Sequence, residues 1–108
     1  MITMVELLVR GDGYSHEEFV ERWQGDHAEL ARELPGLKRY STSVPTNPET
    51  AEYDGVLQLT FESVEAMNEA FASEAGEAVM ADAAEFVELG AGPRTVVEET
   101  IHVDETDG

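Results

Sequence analysis

The chain of 108 residues contains no cysteine and few aromatic residues, which make up 7% of it. Without cysteine there is no disulfide framework, no thiolate nucleophile and no cysteine-ligated metal site. This absence leaves the redox state of the compartment open. Hydrophobic residues still account for 42% of the chain, which is enough for one hydrophobic core, although the length is too small for two. The composition therefore predicts one folded domain and excludes a chain that is disordered throughout.

Basic residues are also scarce: six Lys and Arg face 24 Asp and Glu, and the net charge is −18. Such a surface repels phosphate groups, so we expect neither nucleic acid nor an anionic membrane as a partner. The acids recur along the whole chain, and we place most of them, including Asp82, on outward positions of helices. Molar salt shortens the Debye length to about 3 Å and screens their repulsion. We interpret the chain as that of a halophilic organism with a salt-filled cytoplasm; the alternative is an acidic protein of an ordinary cytoplasm.

The first residues carry no recognisable targeting signal. Residues 1–9 lack a basic start, contain Glu6 within their apolar stretch and are too few to span a bilayer. We therefore expect a cytoplasmic protein with no membrane partner.

Hydrophobic periodicity and turn signals predict alternating strands and helices. Strands are predicted at 2–10, 37–44, 53–61 and 95–103. One helix begins at Ser15, which forms a capping box with Glu18, and ends at the Pro-Gly pair 35–36. A second helix begins at Ser63, is interrupted at 73–76 and resumes as far as Gly90.

The predicted order β-α-β-β-α-β is that of an α+β, ferredoxin-like fold, a four-stranded antiparallel sheet with its helices on one face. The domain spans residues 1–103, and residues 104–108 form an acidic C-terminal tail. The strands carry apolar residues on both faces, and a single helix layer covers only one of them. A second copy of the sheet is the simplest cover, so we predict a homodimer formed through the sheet face.

His27 is the first candidate for a functional residue. At 100° per residue, the helix places it in an arc of about 80° that must face the sheet. The members of this arc are Phe19, Trp23, His27, Leu30 and Leu34. The spacing alone leaves two interpretations: a core histidine with satisfied hydrogen bonds, or a general acid or base in a pocket between helix and sheet.

Three aromatic residues are candidates for the wall of such a pocket. Phe19 and Trp23 share the face of His27, and Tyr40 on the second strand supplies a phenol; each also fits an ordinary place in the core. Gly25 inside the helix is unfavourable and indicates either a kink or the close approach of a ligand. No histidine spacing typical of a metal site, no phosphate-binding loop and no nucleophilic triad is present, so we expect no metal and no cofactor.

Several segments resemble the EthD domain. That family is marked by an aromatic pair, a histidine one turn later and a Leu-Pro-Gly-Leu-x-x-Tyr segment after the helix. The matching segments are 19–23 (FVERW), His27, 34–40 (LPGLKRY), 53–55 (YDG), 72–76 (ASEAG), 86–87 (FV) and 96–99 (VVEE). The resemblance covers residues 2–103, with Gly25 and the abundance of acids as departures from it.

The resemblance implies a dimeric α/β barrel, in which two sheets pack face to face and each subunit keeps a pocket between its sheet and helices. It also favours a functional His27, because the histidine of the family matches this position. The family is named for a component of ether degradation, and relatives act in lactone isomerisation, quinone oxidation and polyketide processing. The resemblance therefore does not select one chemistry.

Three functions remain open from the sequence. The first is a small cofactor-independent enzyme, or an oxidoreductase-associated protein, that acts on an apolar carbonyl or aromatic molecule with His27 as the proton-transfer group. The second is a non-catalytic accessory module that binds a small molecule or haem in the same pocket. The third is a structural dimer in which His27 only fills a polar gap.

Overall fold

A computed structural model of the protein describes residues 1–106. Four antiparallel strands form one sheet in the order β2-β3-β1-β4. The strands are β1 (Ile2–Leu8), β2 (Arg39–Ser43), β3 (Gly55–Phe61) and β4 (Arg94–Val97). With the helices described next, the elements follow the predicted β-α-β-β-α-β order and form an α+β fold, as expected from the sequence.

The predicted helix starts are confirmed by their caps. Helix α1 (His16–Arg22) begins after Ser15, whose hydroxyl accepts a hydrogen bond from the Glu18 amide while the Glu18 carboxylate accepts one from the Ser15 amide. The predicted second helix consists of α3 (Val64–Ala72) and α4 (Glu74–Phe86), which are separated at Ser73. The Ser73 hydroxyl accepts a hydrogen bond from the Gly76 amide and so begins α4.

The predicted first helix is not continuous. A π-helical turn, Trp23–His27, follows α1 and leads into the short helix α2 (Ala28–Ala31). Gly25 lies at the kink with φ −98° and ψ −107°. A π turn contains one residue more than an α turn, so it rotates the residues after it back by about 100°. Ala31 is therefore buried, whereas Leu30, predicted in the buried arc, is 36% exposed.

The helices pack on one face of the sheet through two neighbouring clusters. The first cluster joins Met4, Leu59 and Phe61 of the sheet to the helices. Its helical and connecting members are Ala31, Leu34, Ala70 and Val79. The second cluster is mainly aromatic and consists of Leu8, Phe19, Trp23, Phe86 and Val87.

Two predicted strands are longer than the observed ones. Strand β1 ends at Leu8, and Arg10 makes only an isolated bridge to Val87. Strand β4 covers four residues and not 95–103, because Val97 pairs with Thr3 and β1 begins one residue before Thr3. The chain after Val97 has run past the end of its partner strand, so Ile101 is 62% exposed.

Side chains along each strand alternate between the core face of the sheet and its opposite face. The opposite face carries apolar residues that are partly or largely exposed, namely Val5, Leu7, Val56 and Val97. Residues 104–106 of the predicted acidic tail are exposed and have no regular structure, and residues 107–108 lie outside the described part. Among residues 1–106, no helix combines the length and apolar composition that crossing a bilayer requires.

Candidate functional site

A cavity of about 350 Å³ lies between the sheet and the helices. Its apolar wall includes Met4, Leu34, Leu59, Phe71, Val79 and Val87. The polar or charged side chains that line it are Glu6, His27, Tyr40 and Arg94. A mostly apolar cavity with a few polar groups is the usual form of a small-molecule site.

His27 lies at the end of the π turn and is buried, with 7% of its surface exposed. Its Nδ1 is 2.8 Å from Oδ2 of Asp82 in α4. Because an ionised carboxylate only accepts hydrogen bonds, Nδ1 carries the proton and donates it to Asp82. Within the described residues no hydrogen bond engages Nε2, which leaves this nitrogen for the cavity. π turns occur often at functional sites, and this one positions both His27 and Trp23.

Arg22 holds the same carboxylate from the other side. Its Nη1 donates to Oδ2 of Asp82 at 2.8 Å and its Nη2 to Oδ1 at 2.5 Å, which is a two-point contact of fixed geometry. The guanidinium also lies 5.0 Å from the centre of the Phe86 ring, and the His27 ring meets Phe86 edge-on at 5.1 Å. These contacts link α1 and the π turn to α4 and fix the orientation of the imidazole.

The electrostatics of this group follow from the hydrogen bonds. The bond from Arg22 lowers the pKa of the Asp82 carboxyl, and the bond from His27 adds to the effect against the opposing influence of burial. The same carboxylate raises the pKa of Arg22. Asp82 is therefore ionised at neutral pH and shares its charge between two partners.

Trp23 and Phe19 take different positions relative to the cavity. Trp23 lines the cavity and packs against Gly55, where a Cβ would collide with the indole ring. Phe19 is fully buried with its ring centre 5.4 Å from that of Trp23, and it lies outside the residues that line the cavity. Of the three predicted pocket aromatics, Trp23 and Tyr40 meet the cavity and Phe19 supports Trp23 from behind.

Tyr40 lines the cavity from β2, opposite Leu59 of β3. Its hydroxyl is completely enclosed and has no hydrogen-bond partner among residues 1–106. Burial raises the pKa of Tyr40, although Arg32 opposes the shift. The phenol is therefore a neutral donor without an acceptor, which is uncommon for a buried polar group.

A second histidine cluster lies outside the cavity. His16 Nδ1 is 2.9 Å from Oδ1 of Asp54, and the Arg10 amide donates to Oδ2 of the same carboxylate at 2.9 Å. Burial opposes a low pKa of Asp54, but the hydrogen bonds from Arg10 and His16 outweigh it. None of the three residues lines the cavity, so this cluster joins the start of α1 to the sheet.

The sequence alone does not identify two residues of the site, Asp82 and Glu6, as site residues. Asp82 was expected on the outer surface; its side chain is in fact only 15% exposed. It lies three residues after Val79 and four before Phe86, two buried residues of α4, and this spacing was a usable signal. Glu6, the acid within the apolar stretch of residues 1–9, also lines the cavity. Within residues 1–106, no group of three or more His, Asp or Glu side chains is arranged to hold a metal ion.

Comparison with solved structures supports the fold. An ethyl tert-butyl ether degradation (EthD) family protein from Bacillus halodurans is 20% identical, with 93% of this chain and 100% of that one covered and a TM-score of 0.75. SnoaB, a cofactor-independent oxygenase from Streptomyces nogalater, is 12% identical over 96% and 97% of the two chains, with a TM-score of 0.70. A dimeric ferredoxin-like protein from Bacteroides fragilis is 14% identical over 91% and 95%, also with a TM-score of 0.70.

The sequence itself matches a family and a curated relative. An uncharacterised 11.0 kDa protein from the thcB-thcC intergenic region of Rhodococcus erythropolis is 33% identical over 87 residues, which are 77% of this chain and 82% of that protein. The family model of the EthD domain matches residues 11–90, a span that includes His27, Tyr40 and Asp82. On both grounds, this chain belongs to the EthD domain family.

Proposed function

We propose that the protein is a small cofactor-independent enzyme that transfers a proton on an apolar carbonyl or aromatic molecule, with His27 as the catalytic residue. The observation that carries the proposal is that His27 lines the apolar cavity while its Nδ1 is held by Asp82. A carboxylate at Nδ1 keeps the proton on that nitrogen, so the lone pair lies on Nε2. An imidazole in this form is a general base for a ligand in the cavity.

The proposed step conserves electrons and needs no co-reactant. Nε2 of His27 takes a proton from a carbon next to the carbonyl group of the ligand, which forms an imidazolium and an enolate. The imidazolium then returns the proton to the same carbon or to another position of the conjugated system. Asp82 acts as a positioning residue in this step, and its charge stabilises the imidazolium. Because SnoaB is a cofactor-independent oxygenase, catalysis without a cofactor is compatible with this fold.

The alternative proposal is a non-catalytic module that binds a small molecule or haem in the same cavity. Nε2 of His27 is the one imidazole nitrogen that could meet a bound group there. This alternative predicts binding that depends on His27 without any proton transfer. Haem would also produce a Soret band on titration, and an unchanged haem spectrum removes this branch.

The first experiment is a thermal-shift screen in molar KCl with lactones, quinones, polycyclic aromatics and haem. Wild type, His27→Gln and the matched control His16→Gln are compared, because His16 has a similar bond to a carboxylate but lies outside the cavity. Carbonyl ligands that bind are then incubated in D₂O, and the exchange of the C–H next to the carbonyl is followed by NMR.

The outcomes separate the proposals. We expect exchange with wild type and His16→Gln, and a loss of about a hundredfold or more with His27→Gln. Binding that is lost in His27→Gln, without exchange in any variant, supports the non-catalytic module. Exchange that is the same in all three proteins would refute His27 as the proton-transfer group.

We also propose a homodimer in which the exposed sheet face of one copy packs against that of another. The apolar residues Val5, Leu7 and Val56 on this face support the proposal, as does the description of a structural relative as dimeric. We also propose that the protein is adapted to high salt. Its net charge of −18 makes the surface charges repel one another, and molar salt screens this repulsion.

A further inference from the structure

The sheet side of the cavity contains three polar or charged side chains that the proposed proton transfer does not use. These are Tyr40 on β2, Glu6 on β1 and Arg94 on β4, and the first two lie on either side of β3. Tyr40 pairs with Leu59, which in turn pairs with Met4, and Glu6 follows two residues later on the same face of β1. Their Cα atoms are thus about 12 Å apart, from strand spacing and rise, and both side chains meet one cavity.

Glu6 is an acid in surroundings that would otherwise suit an apolar residue. Its neighbours on the core face of the sheet are Met4, Leu8 and Leu57. Burial raises the pKa of Glu6, while Arg94, its partner in the β1–β4 register, acts in the opposite direction. No hydrogen bond or ion pair within residues 1–106 engages the carboxylate.

Glu6 and Tyr40 offer different contacts to a ligand. The Tyr40 hydroxyl is completely enclosed, so a ligand in the cavity meets the side of the tyrosine and not its hydroxyl. The Glu6 carboxylate is only half-buried and accepts a hydrogen bond from a hydroxyl group. A carboxylate on the ligand would face the charge of Glu6 and the strongly acidic protein around it, and these oppose the attraction of Arg94 in the same cavity.

We propose that Glu6 is a specificity residue that accepts a hydrogen bond from a hydroxyl group of the ligand and disfavours anionic ligands. The ligand class is then a neutral, hydroxylated ring ketone. Its ring hydroxyl donates to Glu6, and the carbon next to the carbonyl faces His27. This inference rests on the proposed function in using the same cavity, but it concerns the choice of ligand and not the proton transfer.

The test uses a tetralone with a ring hydroxyl, its methyl ether, and the matching tetralone carboxylic acid as probes. The ether keeps the size of the hydroxyl compound and lacks the donor. Dissociation constants are measured by calorimetry in molar KCl, at a pH where the phenol is neutral. The variants are Glu6→Met, Tyr40→Phe and the control Glu69→Gln, which removes an exposed carboxylate of α3 that does not line the cavity.

We expect wild type and Glu69→Gln to bind the hydroxyl compound at least about tenfold more tightly than the ether, because a hydrogen bond to a charged group is strong. Glu6→Met should reduce this preference to less than about twofold and should improve binding of the carboxylic acid. Tyr40→Phe should change the binding of the hydroxyl compound and of the ether by the same factor, so that the preference between them is kept.

The proposal is overturned by equal binding of the hydroxyl compound and the ether to wild type, by a preference that persists in Glu6→Met, or by no binding of any probe. Exchange of the C–H next to the carbonyl in D₂O is measured on the same samples. Exchange without the expected ligand preference refutes the role of Glu6 and leaves the proposed function intact. The expected preference without exchange refutes proton transfer by His27 and supports the role of Glu6.

Discussion

Replacement of Asp82 by Asn removes the charge that holds Arg22 and His27 while it keeps the shape of the side chain. The Asn side chain retains one acceptor oxygen, and its amide group must face an N–H of one of the two former partners. At least one hydrogen bond is therefore lost, and those that remain no longer involve an ionised acceptor. We expect both lower stability and a less well-oriented His27.

The size of the effect follows from the three hydrogen bonds that Asp82 accepts. A hydrogen bond to a charged group contributes about 1.5–3 kcal/mol, of which an Asn acceptor keeps a part. The Asp82 side chain is 15% exposed, so solvent screens the group only moderately. We expect a loss of about 2 kcal/mol in the free energy of unfolding, which for a domain of this size corresponds to a decrease of about 10 °C in Tm.

Urea unfolding in molar KCl measures this loss, with the fluorescence of Trp23 as the signal. Trp23 is the only tryptophan and is 1% exposed, so its emission reports opening of the core. A double-mutant cycle with His27→Gln and Asp82→Asn should give a coupling of about 1 kcal/mol. The matched cycle with His16→Gln and Asp54→Asn has a His–Asp distance of 2.9 Å and should couple similarly.

Proton exchange then distinguishes positioning from stability alone. Asp82→Asn should slow ligand C–H exchange and change its pH profile, whereas Asp54→Asn should leave both unchanged, since Asp54 does not line the cavity. Additivity of His27→Gln and Asp82→Asn within about 0.5 kcal/mol would refute the coupled cluster. Normal exchange in a folded Asp82→Asn protein would refute the positioning role.

Four further measurements test the surface, the interface and the core. Because the hydrogen bond from Arg22 lowers the pKa of Asp82, the stability from this carboxylate is complete above its unfolded pKa and is lost as the pH falls through the folded one. The difference in unfolding free energy between wild type and Asp82→Asn should therefore shrink below about pH 4, and a constant difference contradicts this. The Tm should rise steeply from dilute buffer to molar KCl, and a flat response would speak against salt adaptation. Light scattering after size exclusion should give a dimer for wild type and a monomer for Val56→Glu, while Val64→Glu on the exposed side of α3 stays dimeric; a dimeric Val56→Glu protein would rule out the sheet interface. Gly55→Ala should cost about 2 kcal/mol and red-shift Trp23 emission, and an unchanged spectrum would show that the ring has room to move.

Local signals made most of the fold predictable from the sequence. The starts of α1, α3 and α4 each carry a serine whose hydroxyl caps the helix, and this chemistry depends on residues only three apart. The strand β3 lies within the predicted range 53–61, because turn signals and apolar residues mark a strand locally. The ends of β4 were not predictable in this way, because they depend on where its neighbour β1 begins.

The site could be predicted only in part for the same reason. Helical spacing places His27 in the buried arc and the family resemblance favours a functional role for it, but its partner Asp82 is 55 residues away in sequence. Contacts between separate helices follow from how the helices pack, which spacing along one helix does not contain. Glu6 shows the same limit, because an acid in an apolar strand gains meaning only once a cavity is known to lie above it.

The π turn also has a consequence for comparing relatives by alignment. Its additional residue offsets the helix after it relative to α1, so that Ala31 and not Leu30 packs inward. A homologue with a regular α turn at this point would be one residue shorter between its aromatic pair and the Leu-Pro-Gly segment. An alignment without a gap would then assign inward and outward residues of α2 to the wrong columns. The register of this short segment is better judged from side-chain burial than from residue count.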